Sequence, residues 1–414
     1  MGFSEGAFFV EPIAEDLQRL RQLDFDDAND VNLVMARIEY RLSKAYLRYV
    51  TGQRFGFTNP LVLLNHVDVR DVDTLGRAKS YRQLFDVEMD LPDYHFVWQA
   101  MQKVGNDSLG TYLSECQPHD AFYDRLLAKL PETTLPEERQ RLLVNMERRR
   151  WREHLTPQQG QTYVMVNVAA YHLWAVSPDT VVDMRAACGA LKTKTPLLSS
   201  HITRMDVNPE WNIPMSIIRD EVSHRAGDSA YFARRRYYIA DRKTGKHVPV
   251  NSVSRAMLQS GRYRVSQQGG AGNSLGRIIF RFPNNFDVFL HDTSSPGVFQ
   301  RDNRGVSHGC VRVQRPFDLA RFLLGRDAND WLLDRIRISM GLKPETDKGR
   351  AYIQSLGENH EQPRLINSQP LPSRVPIFIT YYTLFQAPDG SMQVYPDVYG
   401  YDRVIGKALK TYLQ

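Results

Sequence analysis

The stretch that most constrains this chain runs from Asp287 to Arg315. An alternating apolar–polar run ends on His291, a loop rich in Ser, Pro, Gly, Asp and Asn follows, and a short β-branched run begins at Cys310. Alternation with period two predicts strands, and two strands joined by a long loop can meet at one end of a sheet. We therefore predict that His291 and Cys310 are neighbours in the folded protein.

A cysteine beside a histidine has the chemistry of an acyl-transfer nucleophile. A neighbouring imidazole or a set of oriented dipoles favours the thiolate, which is the reactive form of the side chain. Gly309 precedes the cysteine and lets the backbone turn sharply, so its amide and the amide of Cys310 would face a developing oxyanion. These residues predict a cysteine acyltransferase with Cys310 as nucleophile and His291 as general base.

Other interpretations of the same residues stay open at this point. A single cysteine is often a small buried hydrophobic residue, and a histidine at a strand end is often a structural polar group. A metal site needs more ligands than His291, His308 and Cys310 supply, because the sequence has no CxxC pair and no second cysteine nearby. We therefore predict neither a metal nor an organic cofactor.

Several motifs around this stretch occur together, and in the same order, in one enzyme family. The sequence Ser-His-Gly-Cys-Val-Arg at 307–312, placed after His291, resembles the active-site signature of the L,D-transpeptidases with a YkuD-type catalytic domain. Further segments that resemble the family lie at 144–151, 208–214, 273–284, 375–382 and 399–402. Several motifs in the right order are much more specific than one.

The resemblance implies an α+β fold. A mainly β, YkuD-type catalytic domain with an inserted capping subdomain would follow a helical scaffold domain. We place the scaffold domain at 1–155, the catalytic domain at 160–414 and the capping subdomain at 209–270. A terminal helix within 400–414 is expected to pack on the scaffold. The small wall-binding module of larger family members is expected to be absent, because the sequence leaves no room for it before Pro136.

Local patterns in the first part of the chain favour helices. Apolar residues recur at helical spacing in 13–22, 30–50, 92–104 and 121–130, and Asp30 is suited to cap the second of these. The stretch 70–82 is polar and rich in turn residues. A helix at 136–151 carries Arg148–Arg150 in its last turn, where the helix dipole favours cations. We predict that this basic run is a solvated or domain-bridging helix end.

The resemblance also implies a reaction on a peptidoglycan tetrapeptide stem. Cys310 would attack the carbonyl of the third residue, a diamino acid, and expel the terminal D-Ala. His291 would take the thiol proton, and the main-chain carbonyl of Asp292 would orient its ring. The backbone amides of Gly309 and Cys310 would stabilise the oxyanion.

Further residues are predicted to contact the substrate. Arg312 carries a planar guanidinium that suits a substrate carboxylate, although a structural ion pair would also explain it. Phe289 lies two residues before the base on the same strand face, and Ser307 and His308 flank the nucleophile. Trp211 is predicted to contact substrate from the capping subdomain, with a plain core position as the alternative.

The sequence leaves the acyl acceptor open. An acceptor amine from a second stem would give a 3→3 cross-link, whereas water would make the protein an L,D-carboxypeptidase. A lipoprotein amine would make it an attaching or detaching enzyme. A non-catalytic wall-binding protein on the same fold is the remaining alternative, and the intact His291, Gly309, Cys310 and Arg312 argue against it.

Composition and charge bound the partners. The 414 residues carry a net charge of +6, which favours acidic partners, and an anionic cell-wall polymer suits that charge better than nucleic acid does. Three cysteines exclude a disulfide scaffold, although a pair between Cys116 and Cys188 stays open. Through the resemblance, we expect peptidoglycan stem peptides as donor and acceptor, and β-lactams of the carbapenem type as covalent inhibitors.

The sequence also bears on where the protein acts. No apolar run approaches the roughly 20 residues of a membrane span, and the start of the chain lacks the pattern of a secretory signal. Family members act outside the cytoplasmic membrane, in cell-wall biogenesis and the maintenance of cell shape. We therefore expect a mature or trimmed chain that works in the periplasm or cell envelope after its export signal has been removed.

Overall fold

The computed structural model describes residues 3–105, 108–326 and 328–412. The chain forms two compact units. The first comprises Met1–Pro157, Pro196–Ser199 and Thr380–Gln414, and the second comprises Gln158–Thr195 and Ser200–Ile379. The last two residues of the predicted terminal stretch 400–414 lie outside the described residues.

The elements are numbered in chain order. The helices are α1 Val10–Gln22, α2 Val31–Phe55, α3 Pro60–Leu63, α4 Tyr94–Gly105, α5 Leu109–Glu115, α6 Ala121–Lys129, α7 Pro136–Arg150, α8 Met215–Asp220, α9 Ser229–Arg234, α10 Arg255–Gln259, α11 Pro316–Leu324, α12 Asp330–Ser339, α13 Asp347–Glu358 and α14 Tyr401–Leu409. The strands are β1 Val69–Val72, β2 Ala78–Tyr81, β3 Phe85–Asp86, β4 Met89–Asp90, β5 Arg152–Glu153, β6 Tyr163–Asn167, β7 His172–Val176, β8 Val181–Gly189, β9 Leu197–Val207, β10 Trp211–Asn212, β11 Tyr237–Asp241, β12 His247–Val248, β13 Tyr263–Gln267, β14 Ile278–Arg281, β15 Leu290–His291, β16 Gly305–Ser307, β17 Val311–Val313, β18 Ser368–Thr380, β19 Leu384–Gln386 and β20 Met392–Val394.

The first unit is largely helical, as the apolar spacing predicts. The helices expected at 13–22, 30–50, 92–104 and 121–130 are confirmed as α1, α2, α4 and α6. Asp30 caps α2, since its carboxylate accepts the amides of Asn32 and Leu33 at 2.9 and 3.2 Å. The turn-rich stretch 70–82 contains strands β1 and β2, which pair as an antiparallel hairpin. Its turn is stabilised by Asp73, whose carboxylate accepts two backbone amides across the bend.

The prediction of a solvated helix end is wrong for Arg148 and Arg150, whereas Arg149 is half-buried and the domain-bridging alternative stays a prediction. Arg148 and Arg150 are only 5% and 3% exposed, and Glu147 beside them is fully buried. Arg148 lies 2.7 Å from Asp402 of α14, and Arg150 lies 3.4 Å from Glu147. Glu147 also accepts the amide and hydroxyl of Thr58 at 2.7 and 2.9 Å. Arg148 and Arg150 are therefore part of a buried ion-pair network within the first unit, in which each of the two guanidinium groups has a carboxylate to offset its desolvation.

A closed sheet organises the second unit. Its strands follow the order β14, β15, β17, β8, β7, β6, β18 and β9, and β9 pairs again with β14. Strands β6 and β7 form an antiparallel hairpin, with Tyr163 opposite Val176. Val164, Val166 and Leu173 are fully buried, and their neighbours Met165 and Trp174 are buried as well, so both faces of these strands are covered.

A smaller sheet lies within residues 209–270. It has the order β10, β13, β11, β12, and helices α8, α9 and α10 lie in the same segment. The segment has a hydrophobic core of its own, which includes Ile218, Phe232, Ile239, Leu258 and Val265. A helical N-terminal part followed by a β-rich part is the α+β fold predicted from the sequence.

The buried carboxylate of Glu147 yields a stability prediction. Replacing Glu147 with Ala leaves the buried Arg150 without its carboxylate, so we expect the free energy of unfolding to fall by about 3–5 kcal/mol. Urea unfolding followed by circular dichroism measures the change. Glu138→Ala on the exposed face of α7 is the matched control, and equal stabilities of the two variants would contradict the network described above.

Candidate active site

The predicted nucleophile and base lie on two neighbouring parallel strands. β15 ends on His291, and β17 begins directly after Cys310. The register places His291 opposite Arg312, and the Val311 amide donates to the carbonyl of Phe289 at 3.1 Å. Because side chains alternate along a strand, Phe289, His291, Cys310 and Arg312 share one face. All four line one cleft of about 820 Å³.

His291 is held in one orientation. The residue is only 3% exposed, and its Nδ1 lies 2.5 Å from the main-chain carbonyl of Asp292. A carbonyl only accepts hydrogen bonds, so Nδ1 carries the proton. Burial, and then the positive charge of Arg312, lower the pKa of His291 to about 4, although the carbonyls of Asp292 and Leu275 act in the opposite direction. His291 is therefore neutral at neutral pH and able to accept a proton.

Cys310 is a protonated thiol at rest. Burial raises the pKa of the Cys310 thiol to about 11, while the Phe289 backbone and the charges of Arg281 and Arg312 act to lower it. Its Sγ lies 3.9 Å from the carbonyl oxygen of Asp287. With a neutral imidazole and a neutral thiol on the same face, the arrangement suits proton transfer during attack better than a preformed thiolate–imidazolium pair.

The turn before the nucleophile is closed by Ser307. The Ser307 hydroxyl donates to the carbonyl of Cys310 at 2.5 Å and accepts the amide of Gly309 at 3.1 Å. Gly309 has φ of +124°, a conformation that favours glycine. Its amide is thus directed to Ser307 in this structure, and it would serve an oxyanion only by sharing or releasing that bond. Gly309 and Asp292 are not among the residues that line the cleft.

A neighbouring turn holds the nucleophile loop from behind. The buried Thr195 hydroxyl donates to the carbonyl of Gly309 at 2.8 Å and accepts the amide of Gly189 at 2.8 Å. The Thr193 hydroxyl donates to the carbonyl of Ser307 at 2.7 Å. These bonds fix the backbone that carries Cys310, so Thr193 and Thr195 are positioning residues.

The other predicted contacts line the same cleft in different ways. The ring of Phe289 stacks edge-on to His291 with centroids 5.8 Å apart. Trp211 on β10 is half-buried, so it both packs on the core of segment 209–270 and lines the cleft. His308 lies 2.8 Å from Glu221, which follows α8, and both side chains are half exposed. This contact ties the nucleophile loop to segment 209–270.

Sequence reasoning missed Arg281. It ends β14, lies on the cleft wall, and its guanidinium sits 4.9 Å from the ring centroid of Phe289. Its Nε donates to Asp206 at 2.7 Å, which orients the side chain. Arg281 also acts to lower the pKa of Cys310. The one sequence feature that could have indicated Arg281 is its place as the only charged residue in the otherwise apolar strand β14.

Two further features concern metals and membranes. Within residues 3–105, 108–326 and 328–412, no group of three or more His, Cys, Asp or Glu side chains is arranged to hold a metal ion. In the same described ranges, no helix combines the length and apolarity that crossing a bilayer requires. All three cysteines are free, so the Cys116–Cys188 pair left open above does not form here.

Comparison with protein families identifies the class. Residues 161–327 match the family model described as the L,D-transpeptidase catalytic domain, YkuD, and residues 7–130 match the model described as the Scaffold domain. The chain therefore contains a region similar to the L,D-transpeptidase catalytic domain, preceded by a region similar to the Scaffold domain. The catalytic-domain match contains both His291 and Cys310.

One curated protein and two solved structures are similar to parts of this chain. A curated protein of Haemophilus influenzae named "Putative L,D-transpeptidase" is 27% identical over 336 residues, which are 78% of this chain and 62% of that protein. The chain thus spans less than two thirds of that relative's length. A solved L,D-transpeptidase from Mycobacterium smegmatis is 12% identical over 53% of this chain and 58% of its own, with a TM-score of 0.20. L,D-transpeptidase 1 of Mycobacterium tuberculosis is 13% identical over 53% and 60%, with a TM-score of 0.17. Both superpositions are too loose to support an argument about the site.

The high pKa of Cys310 yields a pH prediction. Only the thiolate is nucleophilic, so we expect the rate of alkylation by iodoacetamide to rise roughly tenfold per pH unit below the thiol pKa. Because that pKa is raised to about 11, the rise should continue through pH 9 without a plateau near neutrality. Mass spectrometry of the labelled protein measures the rate. Cys310→Ala is the control, since Cys116 and Cys188 are buried, and a plateau between pH 6 and 8 would contradict the neutral pair.

The hydroxyl of Thr195 yields a positioning prediction. Thr195→Val keeps the shape but removes the bonds to Gly309 and Gly189, so we expect a loss of about 1–3 kcal/mol in unfolding free energy. We also expect the alkylation rate of Cys310 to change by at least tenfold, on the order expected for a displaced reactive group. Thr195→Ser retains the hydroxyl and should restore both values. Wild-type values in Thr195→Val would show that the loop holds its position without this residue.

Proposed function

We propose that the cleft carries out L,D-transpeptidation of peptidoglycan through an acyl-enzyme on Cys310. The observation that carries the proposal is the shared face of β15 and β17, where a thiol and an oriented neutral imidazole line one cleft. The family match supports the reaction class, and the identities of donor, acceptor and site residues are part of the proposal.

In the first step, Cys310 attacks the carbonyl carbon of the third residue of a tetrapeptide stem. The proton of Sγ passes to His291, a carbon–sulfur bond forms, and the carbonyl oxygen becomes an oxyanion. The amide bond to the terminal D-Ala then breaks, and His291 returns the proton to the departing amine. The product is a thioester on Cys310 and free D-Ala.

In the second step, the side-chain amine of another stem attacks the thioester. His291 accepts the proton of the attacking amine, the carbon–sulfur bond breaks, and the thiol of Cys310 is regenerated. A 3→3 cross-link results. The carbonyl of Asp292 keeps Nδ1–H of His291 in place throughout, so the other ring nitrogen is the one that exchanges protons.

The cleft offers both signs of charge to a zwitterionic stem peptide. Arg281 and Arg312 line it and suit carboxylates, because a planar guanidinium binds them in two places. Glu210 and Asp287 line it as well and suit an amine. The Glu210 carboxylate is oriented by the hydroxyl of Tyr238 at 2.8 Å. We propose that these groups fix the orientation of the diamino acid.

The proposal extends to location and inhibitors. A protein that acts on peptidoglycan works outside the cytoplasmic membrane, so we place this one in the periplasm or cell envelope. A carbapenem carries a strained β-lactam ring. Attack by the thiol of Cys310 on its carbonyl would break the ring's carbon–nitrogen bond and leave a covalent acyl adduct on the protein.

The test uses the full chain with purified tetrapeptide muropeptides and a carbapenem. We expect a cross-linked dimer that lacks one D-Ala, and a carbapenem adduct on Cys310, both resolved by mass spectrometry. Cys310→Ala should abolish both, since the nucleophile is lost. His291→Gln should slow product formation by about 10²–10⁴-fold, the usual contribution of a general base.

The control variant is Cys116→Ala, which removes a buried thiol of the first unit and should keep product and adduct. If the only product is a trimmed tripeptide and no dimer forms, the activity is that of an L,D-carboxypeptidase that uses the same acyl-enzyme. Turnover by Cys310→Ala would mean that another residue is the nucleophile. The absence of product and adduct in the wild type would leave a wall-binding role.

A further inference from the structure

A second pocket of about 450 Å³ lies in the same unit as the cleft. Three arginines contribute to its wall, namely Arg234, Arg235 and Arg312. The other described residues that line it are Gln267, Gly272, Ser274, Thr293, Ser294 and Ser295, and none of them carries a carboxylate. We call it the arginine pocket. Three guanidinium groups around one small volume repel one another.

Arg235 has aromatic partners, because its guanidinium packs on the ring of Tyr231 and its side chain is hydrogen-bonded to that of Tyr237. Carboxylate partners are missing among the described residues. Within the described part of the chain, neither Arg234 nor Arg235 forms an ion pair with a carboxylate. The Nε of Arg312 is buried and has no hydrogen-bond partner there. Arg236, the next residue in the chain, differs from them, because its guanidinium donates to the carbonyls of Ala271 and Gly269 at 2.6 and 2.7 Å. The structural role in this basic run therefore belongs to Arg236.

A helix terminus does not account for the cluster. Arg234 ends α9 and Arg235 follows it, and cations are mildly favoured at the end of a helix. Arg312 gains nothing from that dipole, because it belongs to strand β17. The convergence of arginines from a helix end and a strand thus calls for another explanation, and an anionic ligand is the one that would neutralise all three.

The wall of the pocket is preorganised. The Arg235 guanidinium packs 5.4 Å from the ring centroid of Tyr231, and the Arg235 carbonyl accepts the Gln267 amide at 3.0 Å. The side-chain oxygen of Gln267 in turn accepts a hydrogen bond from the backbone amide of Ser274 at 2.8 Å. Gln267 is only 3% exposed, so this network fixes the backbone beneath the arginines. Fixed donors bind an oxyanion with less loss of conformational entropy than mobile ones.

We propose that the arginine pocket is an anion-binding subsite that takes a carboxylate or phosphate oxyanion between Arg234, Arg235 and Arg312. Guanidinium groups bind both oxyanions in bidentate fashion, and the hydroxyls of the wall supply further donors. Arg312 and Ser274 line the Cys310 cleft as well, so the two sites share a wall. A ligand in the arginine pocket therefore competes with a ligand in the cleft for the guanidinium of Arg312. The subsite does not depend on the reaction proposed above, because binding there does not use the thiol.

The test is isothermal titration calorimetry on the full-length protein. The probes are inorganic phosphate, a short peptide with a free carboxyl terminus, and the same peptide with an amidated terminus. We expect the wild type to bind phosphate or the free-carboxylate peptide and to bind the amidated peptide more weakly. Arg234→Gln/Arg235→Gln should lose roughly tenfold in affinity per guanidinium removed, since each charge-assisted hydrogen bond contributes on that scale.

The matched control is Arg225→Gln. Arg225 lies in the same segment, and its guanidinium is 5.8 Å from the same Tyr231 ring, but it is not part of the pocket wall. The Arg225→Gln variant should bind phosphate and the free-carboxylate peptide as the wild type does. Arg234 and Arg235 are exposed, so the double variant should fold. If the double variant fails to fold, the single variant Arg234→Gln provides the same comparison.

The outcomes separate the sources of the anion. Tight binding of the peptide carboxylate alone identifies a peptide ligand, and equal binding of phosphate identifies a free oxyanion. Failure of the wild type to bind either probe, or equal affinities in the wild type and the double variant, would overturn the subsite. Repeating the titration with Cys310→Ala keeps this result separate from the proposed catalysis, since that variant has lost the nucleophile and retains the arginine pocket.

Discussion

The parallel pairing of β15 with β17 is the interaction on which the site depends. The two strands have two and three residues, so they contribute few hydrogen bonds of their own. The flanking strands fix their alignment, because β17 also pairs with β8 and β15 also pairs with β14. Closure of the sheet leaves these short strands without a free edge, and a one-residue slip would move a catalytic side chain to the opposite face.

Close packing behind the nucleophile explains why the loop before β17 has little freedom. A Cβ on Gly189 would lie 2.0 Å from the carbonyl oxygen of Thr193, so only glycine allows this approach. That approach lets Thr195 reach both Gly189 and Gly309 with one hydroxyl. The position of the thiol therefore depends on a turn more than a hundred residues earlier in the chain.

The parts of the fold that sequence analysis predicts are those set by local periodicity. Helices α1, α2, α4 and α6 follow from apolar spacing and, for α2, from the cap at Asp30. The burial of Arg148 and Arg150 does not follow, because their carboxylate partners include Asp402, which is distant in sequence. Helix α13 was also missed, since its sequence is polar and its cap at Thr346 lies in an irregular stretch.

The site was predictable as a set of residue types but not as a set of hydrogen bonds. The motif places Ser307 near the nucleophile, yet nothing in it indicates that this hydroxyl accepts the amide of Gly309. Arg281 carries no motif, and it reaches the cleft only because β14 pairs with β15. Side-chain bonds to the main chain depend on the exact turn geometry, which a single sequence does not encode in any local pattern.

The electrostatics of the cleft favour a site that becomes reactive when substrate fills it. Burial keeps the pKa of His291 low and that of Cys310 high, so the resting site holds no ion pair whose desolvation would destabilise the fold. Arg281 and Arg312 act in the direction that favours the thiolate, but Arg312 also disfavours a protonated His291. A substrate carboxylate on Arg312 would screen its charge and make His291 a stronger base. Under the proposed mechanism, a ligand bound to the Arg312 guanidinium would therefore raise the basicity of His291 and favour transfer of the thiol proton to it.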